Sequence, residues 1–203
     1  VKAKRPSRAE AEAAVRLLIA WSGDDPDREE LRATPARVID AFAEYFSGYG
    51  RDPAALFREV VPAAGMRGQL VMLRDIDFAS QCEHHITPFF GRAHLAFVVG
   101  ERLVGLGHLA ELVRIFARRL QIQERLTREI ADALEAGLAP LGVGVLLEAT
   151  HTCAAVRGPC QARHRFVTAC FRGVFERDPQ LRELLRTGAG PGGEAGGAPV
   201  ATG

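Results

Sequence analysis

Cysteine is scarce. The 203-residue chain has four, Cys82, Cys153, Cys160 and Cys170. A small secreted scaffold held by disulfides would be shorter and denser in cysteine, so a reducing compartment is expected. Long apolar runs are missing as well. No stretch approaches the roughly 18 apolar residues that span a bilayer, and no membrane partner is expected. Neither sign of charge dominates, since 26 Lys plus Arg face 25 Asp plus Glu for a formal charge of +1. A nucleic-acid partner would demand a concentrated basic face, so none is expected. The first residues, Val1 to Ala13, are charged and contain no apolar segment of the kind a signal peptide carries. No internal repeat of about 20–50 residues is visible. What is present is 47% hydrophobic and 25% charged residues, enough to bury a core in one globular chain. The expected location is the cytoplasm.

Ser7-Arg8-Ala9-Glu10 has the pattern of a capping box. A helix with Val15, Leu17, Leu18 and Trp21 as its apolar positions follows and stops at Gly23-Asp24-Asp25-Pro26. Thr34-Pro35 is expected to open a second helix, with Thr34 as cap and Pro35 at the first helical position. From about residue 69 the period changes. Leu70 to Phe78, and the alternating Ala93, Leu95, Phe97 and Val99, read as strands. Two helical patterns come next, one on Leu109, Leu112, Val113 and Phe116 and one on Ile122, Leu126, Ile130 and Leu134. Val143–Thr150 and Phe166–Val174 complete the set as strands. Helices, strand pair, helix pair, strand pair is an α+β order. The Gly/Ala/Pro segment 188–203 has too little bulk to offset its ordering entropy and is expected to be disordered.

Chemistry concentrates in two places. Ser80-Gln81-Cys82-Glu83-His84-His85 gathers metal-binding side chains in a turn after a strand, and His151-Thr152-Cys153 ends the Val143 strand. Cys82, His85 and Cys153 would supply three ligands to a tetrahedral ion and leave the fourth position open, the pattern of a catalytic zinc site. By residue type alone, buried cysteines with hydrogen-bonded histidines fit equally well.

Cys82-Glu83-His84-His85 followed by Pro88-Phe89-Phe90-Gly91 resembles the GTP cyclohydrolase I family. So do Val104-Gly105-Leu106, the block Phe116–Thr127, and Glu148-Ala149-Thr150-His151-Thr152-Cys153. The resemblance runs from about Ser7 to Leu185, with the motifs in order. It implies a T-fold: an antiparallel four-stranded sheet with two helices on one face (67–187), after a helical N-terminal part (1–66). It also implies a toroidal homo-oligomer, a decamer, in which neighbouring sheets close into a barrel and leave no exposed strand edge. The implied reaction is zinc-dependent hydrolytic opening of the imidazole ring of GTP at C8, with release of formate and formation of 7,8-dihydroneopterin triphosphate.

The resemblance assigns the Zn²⁺ ligands to Cys82, His85 and Cys153. It places His151 at proton exchange near purine N7 and His84 near the ribose oxygens. Glu124, with Gln123 beside it, matches the guanine-binding pair, and Arg37 and Arg157 match phosphate-binding arginines.

Other basic positions of the family pattern are lost. Where lysine, serine, lysine and arginine are usual, this chain has Asp40, Gly107, His108 and Glu111. Carboxylates facing a triphosphate would repel it. Arg163 and Arg165 are candidates for compensation. A second reading follows, a paralogue that opens the imidazole ring of a non-triphosphorylated or modified purine and stops before the pterin. A zinc-bound structural or regulatory subunit is a third.

Overall fold

The computed structural model describes residues 5–188, which form two compact units divided between Ser47 and Gly48. The tail expected to be disordered lies, beyond Gly188, outside the described residues.

The first unit is a helix pair. Helix α1 (Arg8–Trp21) opens on the expected capping box: Ser7 Oγ accepts from the Glu10 N–H, and Glu10 Oε2 accepts from the Ser7 N–H at 2.7 Å. Helix α2 (Thr34–Tyr45) begins one residue earlier than expected. Ala33 is its cap, so Thr34 is already helical and Pro35 sits buried in the first turn, where a missing N–H costs nothing. Arg8 bonds Glu12 and Asp40, both at 2.7 Å, and so ties α1 to α2. Leu17, Leu18 and Trp21 are exposed, Trp21 by 86%. One partner helix is too narrow to cover the whole apolar stripe of α1.

In the second unit a short pair, β1 (Val61–Pro62) with β4 (Arg102–Leu103), accompanies the main sheet. In that sheet β2 (Leu70–Cys82), β3 (Pro88–Val98), β6 (Gly142–His151) and β7 (Phe166–Gly173) lie side by side in this order as an antiparallel meander. The expected four strands gain a fifth. β5 (Leu120–Gln121) lies parallel to the end of β2, pairing Gln81 with Leu120 and Cys82 with Gln121. Two residues carry no readable period, so this strand had no sequence signal.

Helices α3 (Leu106–Ala117) and α4 (Gln123–Leu138) pack on one face of the sheet. Phe89, Ala93, Leu95 and Phe97 of β3 meet Leu109, Leu112, Leu126, Ile130 and Leu134 there, all buried. Each Leu, Ile or Phe side chain of this set contributes about 1.5–3 kcal/mol relative to exposure. On the opposite face, Phe175 of α6 (Val174–Arg177) and Leu185 of α7 (Pro179–Thr187) cover Ala96, Val98 and Leu146. Helix α7 was not anticipated, although Asp178-Pro179 signals it: the Asp178 carboxylate accepts from the N–H groups of Gln180 and Leu181. No helix among the described residues is long and apolar enough to cross a membrane.

Strand β2 bulges between Leu73 and Ile76, and Asp75 takes a φ of +56°. The gap is filled by His94, 4% exposed, whose Nδ1 accepts from the Asp75 N–H at 3.2 Å. Burial, with Arg74 and Arg92 nearby, pushes the His94 pKa below its usual value, against the opposing pull of Asp75 and Glu148. The unfolded chain therefore takes up this proton first, and stability present above about pH 6.5 is lost as the pH falls below it. His94→Gln is expected to flatten the loss of denaturation midpoint between pH 7.5 and 5.5. An equally steep loss in the variant would place the acid sensitivity elsewhere.

Candidate active site

The site forms where the meander brings two strand ends together. Strand β2 ends at Cys82 and turns back at once: Cys82 N–H donates to Thr87 O and Ile86 N–H to Cys82 O, both at 2.8 Å. Ile86 adopts a φ of +54° in this turn. In the neighbouring ladder Phe89 lies opposite His151. The chain leaving β6 enters the short helix α5 (Thr152–Ala155), and the Thr152 hydroxyl donates to Pro88 O at 2.6 Å. Cys153 is thereby set beside the turn.

The donor atoms of Cys82, His85 and Cys153 all lie within 4.8 Å of one another. Cys82 Sγ is 3.8 Å from His85 Nδ1, close to the edge of a tetrahedral zinc site with bonds of about 2.0–2.3 Å. The donor set fits zinc in both chemistry and spacing. Burial and the adjacent Cys82 push the Cys153 thiol pKa up. A cation must displace that proton, so metal affinity rises with pH.

A cleft of about 270 Å³ opens beside Cys82 and Cys153. His84, Glu124 and His151 line it, together with Phe166 and His164. His84 Nδ1 lies 3.8 Å from Cys82 Sγ. Glu124 is exposed in the first turn of α4, where the helix dipole favours a carboxylate. A second set of bonds fixes the distance between that turn and the Cys82 turn. Arg125 bonds Glu83, donates to Gln121 Oε1 at 2.9 Å and to Leu120 O at 3.1 Å. Gln123 is fully buried, with its amide directed inward. His151 stacks on Phe89 at 4.5 Å, and burial, reinforced by His164, pushes its pKa down while Glu124 opposes.

A sequence model of the family described as GTP cyclohydrolase I matches residues 11–189. The chain belongs to the GTP cyclohydrolase I family. Similar proteins include the GTP cyclohydrolase 1 of Hyphomonas neptunium, 47% identical over 88% of this chain and 87% of that one. That of Brucella anthropi is 46% identical over 90% and 87%. Among solved structures, an archaeosine synthase QueF-Like in the apo form aligns with 51% of this chain and 93% of its own, at 14% identity and a TM-score of 0.44.

Of the other positions that the family pattern singles out, Arg37 is exposed on α2 in the first unit, and Arg157 is exposed in the loop after α5. Neither is among the residues that line the cleft. Arg163 is exposed, and Arg165 Nη1 lies 3.9 Å from Glu148. The two carboxylates in unusual places are both paired. Asp40 is held by Arg8. Glu111 bonds Arg114 at 2.6 Å and Arg51 as well, and these guanidinium groups hold its pKa below the usual carboxylate range. Two arginines on one carboxylate leave that cluster with a net positive charge. Arg114 was legible as an i,i+3 partner of Glu111; Arg51, far away in sequence, was not. His164 also lines the cleft, and nothing in its local sequence marks it for that place.

Cys153→Ala is expected to abolish stoichiometric zinc binding in metal analysis of the purified protein, with the fold retained by circular dichroism. Retained zinc would exclude this trio as the ligand set. Glu111→Arg sets three guanidinium groups together without a carboxylate. A loss of about 1 kcal/mol is expected for these partly exposed groups, read as a lower Tm with no improvement in KM for GTP. A lower KM would mean that Glu111 faces the substrate.

Proposed function

We propose that this chain is a GTP cyclohydrolase I, a hydrolase that opens the imidazole ring of GTP at C8, releases formate and forms 7,8-dihydroneopterin triphosphate. The observation that carries the reading is the meeting, in one cleft, of a three-donor metal site, the neutral imidazole of His151 and the carboxylate of Glu124. Cys82, His85 and Cys153 would hold Zn²⁺, which supplies Lewis acidity and lowers the pKa of water at neutral pH.

The remaining chemistry belongs to side chains. Glu124 accepts from guanine N1–H and the exocyclic amine, and this pairing selects guanine by leaving a carboxylate unpaired with any other base. His151, neutral at pH 7, exchanges a proton with the purine near N7. His84 stands near the ribose oxygens. The volume of the cleft, about 270 Å³, is just below the about 300–1,000 Å³ usual for ligand pockets. It therefore takes the base and leaves the triphosphate outside, for which Arg37, Arg157 and the positive charge around Glu111 are the groups proposed. With Asp40 and Glu111 both bound by arginines, the repulsion that would favour a non-triphosphorylated purine is largely removed.

The T-fold reading, with residues 67–187 as the catalytic part, rests on family membership together with the α3/α4-covered meander. Closure of neighbouring sheets into a barrel within a homodecamer is supported by two sheet edges among the described residues, that of β7 and that of β2 outside its two-residue pairing with β5. Pterin synthesis in the cytoplasm is the setting proposed.

Zinc-loaded protein incubated separately with GTP, GMP and guanosine tests the reaction. Formate and pterin fluorescence are expected from GTP. Glu124→Gln is expected to lower kcat/KM for GTP by about 10- to 100-fold, as loss of a charged hydrogen bond does. Formate from GMP or guanosine but not GTP, or formate without a pterin, would replace GTP with another purine in this reading.

A further inference from the structure

Gln123 matches a position beside the guanine carboxylate, yet it has no amide group left for a base. Its Nε2 donates to Leu147 O at 3.1 Å and Phe166 O at 2.9 Å, with Thr168 Oγ1 at 3.1 Å. Main-chain carbonyls accept only, so the amide can point in one direction. Oε1 then faces His151 Nε2 at 2.9 Å.

The hydroxyls around it are equally constrained. Thr127 donates to Gln123 O at 2.7 Å, so the 2.6 Å contact between the Thr127 and Thr168 hydroxyls must be donated by Thr168. Proton positions follow in sequence through this buried network, and the last of them lies on His151. An acceptor at Oε1 demands a hydrogen on Nε2. Its plane is set by stacking on Phe89 with a 4° angle between planes and by the edge of Phe166 at 5.5 Å, and in this orientation Nε2 is the ring nitrogen that faces the amide oxygen.

We infer that Gln123 is a positioning residue for His151 rather than a ligand of the base: it holds a hydrogen on Nε2 and leaves Nδ1 as the nitrogen that exchanges a proton with substrate. The role in proton exchange rests on the reading above; the tautomer does not. Replacing this amide removes the one acceptor that distinguishes the two ring nitrogens, and should therefore act on turnover and leave substrate affinity nearly unchanged.

The test begins with the nitrogen-15 spectrum of histidine-labelled, zinc-loaded protein without substrate, with the His151 signals identified by their loss in His151→Asn. A protonated Nε2 and bare Nδ1 are expected; the opposite tautomer overturns the inference whatever the protein catalyses. In Gln123→Met, of similar length without the acceptor, the spectrum should become a mixture of tautomers. Its kcat for GTP should fall about 10- to 100-fold, with zinc content retained and KM within about twofold. Gln123→Glu, whose neutral carboxyl keeps one donor and one acceptor, should recover the Nε2–H signal and part of kcat. A raised KM at unchanged kcat in Gln123→Met would return Gln123 to the base. If that variant does not fold, the unsubstituted and Gln123→Glu spectra decide the question.

Discussion

The register between β3 and β6 is the constraint on which the site depends. Their ladder runs without a bulge from Phe89 opposite His151 to Val98 opposite Gly142. A slip of one residue would turn every side chain of β6 to the other face, taking His151 away from the cleft and Cys153 away from the Cys82 turn. Close packing holds the register near the site. A Cβ on Gly91 would stand 1.8 Å from Glu148 O, so only glycine lets the two backbones approach as they do. Apolar burial beneath the sheet anchors the other end, through Leu95, Phe97, Val143 and Val145.

Two kinds of polar interaction surround this frame, and they do different work. Inside, Gln123, Thr127, Thr168 and His151 form a neutral network whose members are all bonded to one another or to main-chain carbonyls. Such a network gives direction at little electrostatic cost, since no charge is taken out of water. Outside, the interactions are between ions. Arg125 with Glu83 joins the metal turn to the start of α4, while Arg51 and Arg114 enclose Glu111. Exposed pairs of this kind contribute little to stability. Their effect is on where charge stands on the surface of the protein.

Much of this was legible in residue patterns. The strand and helix periods, the Ser7 capping box, and the order of helices, strand pair, helix pair and strand pair all follow from local spacing and burial, which a linear chain displays directly. The Cys82–His85 turn and the family motifs were equally plain. Local rules failed where an element is very short or its cause is distant. β5 is two residues long, Thr34 looked like a cap until Ala33 took the place, and the apolar face of α1 found only one narrow partner.

Residue identity by itself determined the chemical inventory: two thiols and an imidazole able to bind zinc, further imidazoles and carboxylates, and a family pattern altered at Asp40, Gly107, His108 and Glu111. Only the tertiary structure decided which of these groups share a cleft, that Asp40 and Glu111 are each held by arginine, and that the Gln123 amide is turned inward to His151. The reason is physical. Periodicity and motif spacing report forces between near neighbours in the chain, whereas hydrogen-bond direction and charge pairing depend on atoms that only folding brings within about 3 Å.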